Sequence, residues 1–152
     1  MFDKIKKFTK LKAEEKRLFL EAYITLGVMR TAILTVSFKR LTRTLEHSKN
    51  GISTDEPSEQ QIRQAKQIGD IILKAAGSTP WESACLAQSL TAQRMLQKRS
   101  ISGTFYLGVM KDDTFEGKMK AHAWSQCGDE ILTGAQGHKK FTVLSVFRWE
   151  KK

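Results

Sequence analysis

The spacing of apolar residues changes period once along this chain, and that change sets the class of fold. Between Ala13 and Leu45 apolar side chains recur at helical spacing and crowd nearly every face. A second helical stretch runs from Glu59 to Ala76, where Ile62, Ile68, Ile71, Ile72 and Ala75 fall near one face and Gly77 supplies a stop. A third begins near Cys85 and continues to about Arg99, with Cys85, Leu86, Leu90, Ala92 and Leu96 together and Arg94 and Lys98 opposite. From Gly103 the period drops to two. Phe105, Leu107 and Val109 alternate within Gly103 to Met110, and strands are predicted over Lys120 to Cys127, Glu130 to Thr133 and Thr142 to Trp149. Gly128-Asp129 reads as a two-residue, glycine-first hairpin turn that makes the second and third strands antiparallel neighbours. Helices followed by strands predict an α+β domain, N-terminal helices leading into an antiparallel sheet.

With 152 residues the chain can bury a core of its own as one body. A polar, turn-rich break from Asn50 to Ser58 divides it into a helical N-terminal segment, residues 1–50, and a main domain, residues 58–152. The N-terminal helix, read as one helix or a helical hairpin, is too apolar to stand alone. Its partner surface is the rest of the chain, another subunit or a membrane interface. The apolar run from Ala22 to Phe38 is interrupted by Arg30 and falls short of the ~20 residues of a membrane span. It also ends without the small-residue cleavage site of an export signal.

A net charge of +10 is concentrated at Lys4, Lys6, Lys7, Lys10 and Lys12 and again at Arg148, Lys151 and Lys152. Without a helix-turn-helix, an aromatic RNA-binding motif or zinc-finger spacing, this reads as a solvated basic surface, and no nucleic-acid partner is expected. The two cysteines cannot form a disulfide framework, and a reducing cytoplasmic setting fits them. Cys85, Cys127, His122 and His138 lack the close spacing of structural zinc sites, so no metal and no cofactor are expected.

Cys85 carries the chemistry. It lies in Pro80-Trp81-Glu82-Ser83-Ala84-Cys85-Leu86, at a helix start. Thr79 to Glu82 matches a capping box, but Ser83 competes as the cap, and a start at Ser83 places Cys85 in the first turn, where the helix dipole favours its thiolate. His122 follows in Ala121-His122-Ala123-Trp124 on a strand. Alternation puts His122, Trp124 and Gln126 on one face, extending toward Cys85, and Ala121, Ala123, Ser125 and Cys127 on the other. A thiol with an imidazole base is a recurrent means of nucleophilic attack on a carbonyl. The plain alternative is a buried structural cysteine and an unconnected strand histidine.

The segments Pro80 to Leu86, Gln88-Ser89-Leu90, Arg94-Met95-Leu96, Tyr106 to Val109, Ala121 to Trp124, Thr133-Gly134 and Phe141 to Leu144 occur in an order that resembles the lasso peptide biosynthesis B2 family. The resemblance spans Gly77 to Phe147, and Leu11 to Leu45 is similar to that family's N-terminal segment. It implies a transglutaminase-like or papain-like core and a cysteine peptidase that removes the leader from a ribosomally made lasso precursor. The partners it implies are the precursor peptide, a separate B1-type leader-recognition protein and a lasso cyclase. A peripheral place at the inner face of the membrane, or contact with a transporter, is held open. Under the resemblance Cys85 is the nucleophile and His122 the base; Trp81 and Trp124 are candidate substrate contacts. The family's third member is a carboxylate on the strand after the histidine. Ile131 to Gly134 offers none, which leaves Asp129, Asp112, Asp113, a backbone carbonyl, or no orienter at all. The rival functions are acyl transfer to an amine, as in transglutaminases, and a non-enzymatic scaffold or membrane-associated interaction protein.

Overall fold

The computed structural model describes residue 9 and residues 12–41, 46–47, 56–80, 84–111 and 119–149. Among the described residues the helices with defined bounds are α1 (Ala13–Thr35), the short α2 (Phe38–Leu41), α3 (Glu59–Ala76) and α4 (Cys85–Lys98), all ahead of most of the sheet. The strands are β1 (Glu46–His47), β2 (Gly103–Lys111), β3 (Met119–Cys127), β4 (Glu130–Thr133) and β5 (Thr142–Trp149), with a 3-10 turn at His138–Lys140 before β5. They form one antiparallel sheet in the order β1-β5-β2-β3-β4. The chain is therefore α+β, as its two periods require.

Local chemistry explains where the elements begin and end. α3 starts at a reciprocal capping box: Ser58 Oγ accepts from the Gln61 amide at 3.2 Å, while the Ser58 amide donates to Gln61 Oε1 at 2.9 Å. Gly128, with φ +57°, leads a two-residue turn, and Cys127 faces Glu130 across it. α1 is one helix to Thr35 rather than a run to Leu45 or a helical hairpin. Thr31 and Thr35 turn their hydroxyls back onto the carbonyls of Gly27 and Thr31, at 2.9 and 2.7 Å, and Val36 is extended. Back-bonded threonines and β-branched neighbours weaken a helix end. Residues 42–45, 50–55, 81–83 and 112–118 carry the rest of the expected N-terminal helix, most of the polar break, the candidate Trp81, the expected cap Ser83, and Asp112 and Asp113. They lie outside the described residues.

The helices pack against one face of the sheet. Leu18, Ala22 and Leu26 on α1, Ile68 and Ile72 on α3, and Met95 and Leu96 on α4 meet Phe105, Ala123, Cys127, Phe147 and Trp149. Burial of each large apolar side chain there contributes about 1.5–3 kcal/mol relative to exposure. Two polar ties lock the ends of this layer. Trp149 Nε1 donates to the Ile101 carbonyl at 2.9 Å, and Arg99 beyond α4 clasps Glu21 on α1 at 2.6 and 3.0 Å. The guanidinium's hydrogen bonds hold the Glu21 carboxyl below its ordinary range. One expected surface cation is placed differently: Arg148 on β5 is only 9% exposed.

The length reading of α1 also changes. Its 23 residues make it about 34 Å long, enough in length and composition to cross a bilayer. The shorter apolar run read from the sequence excluded its first turns.

Candidate active site

Cys85 is the first residue of α4, with Ala84 in the cap position one residue later than the expected cap, and it is half-buried against the core. The Ala84 side chain satisfies none of the helix's leading amides. Alanine is a poor cap, worth roughly 1 kcal/mol less than serine or aspartate, and the first amides of a helix have no acceptor within it. A helix start that Ala84 does not cap presents donors and a partial positive charge beside the thiol. The other cysteine has a different character. Cys127 is fully buried, its thiol lies 3.5 Å from the Ser102 carbonyl, and burial pushes its pKa up to about 11. It remains a neutral thiol at physiological pH.

His122 sits on β3 opposite Gly108 of β2. Its ring is clamped between Phe141 and Trp124, with centroids 4.9 and 5.8 Å away. Trp124 in turn stacks on Tyr106 at 5.4 Å and meets the His138 ring at 5.7 Å. The missing side chain of Gly108 makes room for this stack, since a Cβ there would come within 2.9 Å of Phe141 Cβ and 3.0 Å of the Trp124 ring. Trp124 is 4% exposed, so it works as the wall that holds the imidazole and offers little surface to a substrate.

The nitrogen Nε2 of His122 lies 2.7 Å from the carbonyl oxygen of Gly134. A carbonyl can only accept, so Nε2 carries the hydrogen, and in the neutral ring Nδ1 is left with the free lone pair. That is the tautomer selection a carboxylate usually performs beside a catalytic histidine. Here the backbone does it. Asp129, the expected orienter, is exposed in the β3–β4 turn, at the far end of a strand that runs about 17 Å from His122 to Cys127 at roughly 3.3 Å per residue. It lines a cavity of about 400 Å³ with Glu56, Tyr106 and Arg148.

The position of the Gly134 carbonyl follows from an irregularity that alternation could not reveal. The register of β3 and β4 shifts between Ser125 and Gln126, so Ser125 faces Thr133 while Gln126 faces Ile131, and Leu132 is the extra residue. Leu132 and Thr133 are consequently both buried. The Thr133 hydroxyl lies 2.6 Å from that of Ser125 and 3.1 Å from that of Ser89 on α4. Gly134 follows with φ +73°, a left-handed conformation that suits glycine, and a Cβ there would collide with the Ala123 carbonyl and the Trp124 backbone. No carboxylate side chain fits at Gly134 in this backbone.

α4 packs on the face of β3 that carries Ala123 and Cys127, and His122 projects from the other face. The expected extension of His122 toward Cys85 is not seen on the helix-packed face; the contacts that run between α4 and the imidazole's surroundings are those of Ser89 with Thr133 and of Gly134 with the ring. Among the described residues no group of three or more His, Cys, Asp or Glu side chains is placed to hold a metal ion.

The family model of the transglutaminase-like superfamily matches residues 28–146, from the middle of α1 into β5, and so includes Cys85, His122 and most of the helix-to-sheet layout. The chain belongs to that superfamily. No curated protein and no solved structure matches it.

Proposed function

We propose that this transglutaminase-like chain is a cysteine peptidase that removes the leader from a ribosomally made lasso precursor, with Cys85 as nucleophile and His122 as base. Its superfamily is one of cysteine peptidases and acyltransferases. The order of motifs from Pro80 to Leu144, which resembles the B2 leader peptidases, argues for the finer assignment. The observation that carries the reading is the Gly134 carbonyl at 2.7 Å from His122 Nε2, because it leaves Nδ1 as the proton acceptor.

In this mechanism the free lone pair on Nδ1 accepts the proton of the Cys85 thiol, and the thiolate adds to the scissile carbonyl. The Cys85 amide, at the open start of α4, donates to the tetrahedral oxyanion, a contribution of about 100- to 1000-fold in rate for donors of this kind. Collapse breaks the C–N bond, and the imidazolium returns its proton to the leaving amine. Water, deprotonated by Nδ1, then releases the leader carboxylate and regenerates the thiol. A separate leader-recognition protein delivers the precursor, and the cyclase takes the freed core peptide. The neutral Cys127, turned into the core, takes no part.

The test is incubation of the full chain with its precursor and the recognition protein, read by mass. Wild type releases leader and core, whereas Cys85→Ala leaves the precursor whole while retaining its far-ultraviolet circular dichroism. Cleavage that survives Cys85→Ala refutes the reading. A product joined to an amine, in place of leader with a free carboxylate, transfers the same thioester chemistry to acyl transfer.

A further inference from the structure

α1 is half used by the fold. Leu18, Ala22 and Leu26 enter the core, while on the opposite side Leu20, Ile24, Val28 and Leu34 are 51, 64, 56 and 73% exposed. At 100° per residue these four fall, with Arg17 and Thr31, within an arc of roughly 120°. The result is one continuous aliphatic ridge along the helix. An open groove of about 720 Å³ lies beside it, lined by Ile24, Val28, Ala32 and Val36 among others.

Charge and side-chain type select among possible covers. The sequence from Ala22 to Thr44 contains no Asp or Glu but includes Arg30, Lys39, Arg40 and Arg43. Lys12 and Arg17 are exposed at the start of the ridge and Lys39 and Arg40 just past its end. Glu21, the acidic residue nearest the ridge, is clasped by Arg99 and approached by Lys98. Protein hot spots favour Trp, Tyr and Arg over Leu and Val. The α1 aromatics Phe19 and Tyr23 instead stack on each other and pack against the core. An aliphatic strip with cations at both ends, whose neighbouring acids are the clasped Glu21 and the first-turn Glu14 and Glu15, suits an acyl-chain boundary beneath anionic headgroups.

We infer that α1 is a membrane-surface helix, which seats the protein on an anionic lipid bilayer with Leu20, Ile24, Val28 and Leu34 in the acyl boundary and Arg17, Lys39 and Arg40 at the headgroups. It lies in the plane of the surface and does not span. Crossing the bilayer would pull Leu18, Ala22 and Leu26 from the core and part Glu21 from Arg99. This inference is independent of the chemistry proposed for Cys85.

Co-sedimentation of the full chain with large vesicles tests it, comparing pure phosphatidylcholine with mixed phosphatidylcholine and phosphatidylglycerol. Wild type and Cys85→Ala sediment alike with the anionic vesicles, and added salt weakens both. Ile24→Ser with Leu34→Ser, both outside the core, lowers partitioning by about tenfold or more without changing Tm. Lys39→Glu with Arg40→Glu reduces binding to the level seen on neutral vesicles. Failure of wild type to sediment with anionic vesicles overturns the inference, as does equal binding by the Ser variant. A concentration-dependent dimer that the Ser variant abolishes would assign the ridge to a second copy of the chain and overturn it as well.

Discussion

The two faces of β3 carry opposite kinds of chemistry within nine residues. Toward the helices, Ala123, Ser125 and Cys127 are sealed, and the sulfur there is an inert thiol with its pKa raised to about 11. Toward the other side, His122 is half-buried, gripped by aromatic rings and polarised by a single carbonyl. The contrast teaches that reactivity here depends on the surroundings of each side chain, burial for Cys127 and a backbone carbonyl for His122. Residue type does not decide it, since both cysteines have the same functional group. One face stabilises the domain, and the other holds an imidazole in a defined tautomer.

Truncation on each face should therefore fail in a different assay. His122→Ala is expected to reduce precursor cleavage by about 10²- to 10⁴-fold, the range for a general acid–base group, while the protein still unfolds cooperatively. Phe105→Ala, on the sealed face, is expected to cost about 3–5 kcal/mol in denaturant unfolding, and the protein that remains folded should cleave normally. If the two variants lose activity in proportion to their stability, the division between faces is wrong.

The crossing point between the faces is Gly134, and Gly134→Ala should sharpen the picture. Its Cβ would press on the Ala123 carbonyl at a left-handed φ, a cost of about 1–3 kcal/mol. Because the carbonyl that selects the His122 tautomer must move, the cleavage rate should fall further than unfolding alone predicts. Gly134→Asp should not rescue it. A Gly134→Ala protein with a normal rate and normal stability would show that neither the carbonyl's placement nor the glycine is needed.

The smallest expected effect lies at the remote end of the helical layer. Arg99 holds the Glu21 carboxyl below its ordinary value of 4.5, so the folded state releases that proton more readily than the unfolded chain. The stabilisation is present above pH 4.5 and is lost as the pH falls through the folded value. Glu21→Gln should lower Tm slightly at neutral pH and leave it nearly unchanged in acid. A Tm gap that is constant with pH would remove this link between α1 and α4.

Much of the site was legible where it depended on local pattern. Helical spacing placed α3 at Glu59–Ala76, and alternation placed β4 at Glu130–Thr133 and β5 at Thr142–Trp149. A cysteine at a helix start and a histidine on a following strand could be singled out in the same way. What alternation did not show was the bulge in β4. An extra residue at Leu132 reverses the side on which the following residues fall, and nothing in Glu130-Ile131-Leu132-Thr133 announces it. Because Ile131 to Gly134 offers no carboxylate, the search for an orienter settled on Asp129, and a backbone carbonyl remained one option among several.

The sequence alone determined the α+β order, the element boundaries with short-range signals, and the residues able to do thiol chemistry, because these follow from periodicity, caps and turns within a few neighbours. Tertiary structure alone decided that a main-chain oxygen at Gly134 meets the His122 ring, that α1 buries one side and presents the other, and that Arg148 is enclosed. Each of these depends on the register of strands and the choice of packed face. Those are set by contacts between residues far apart in the chain, and a one-residue slip exchanges inside for outside.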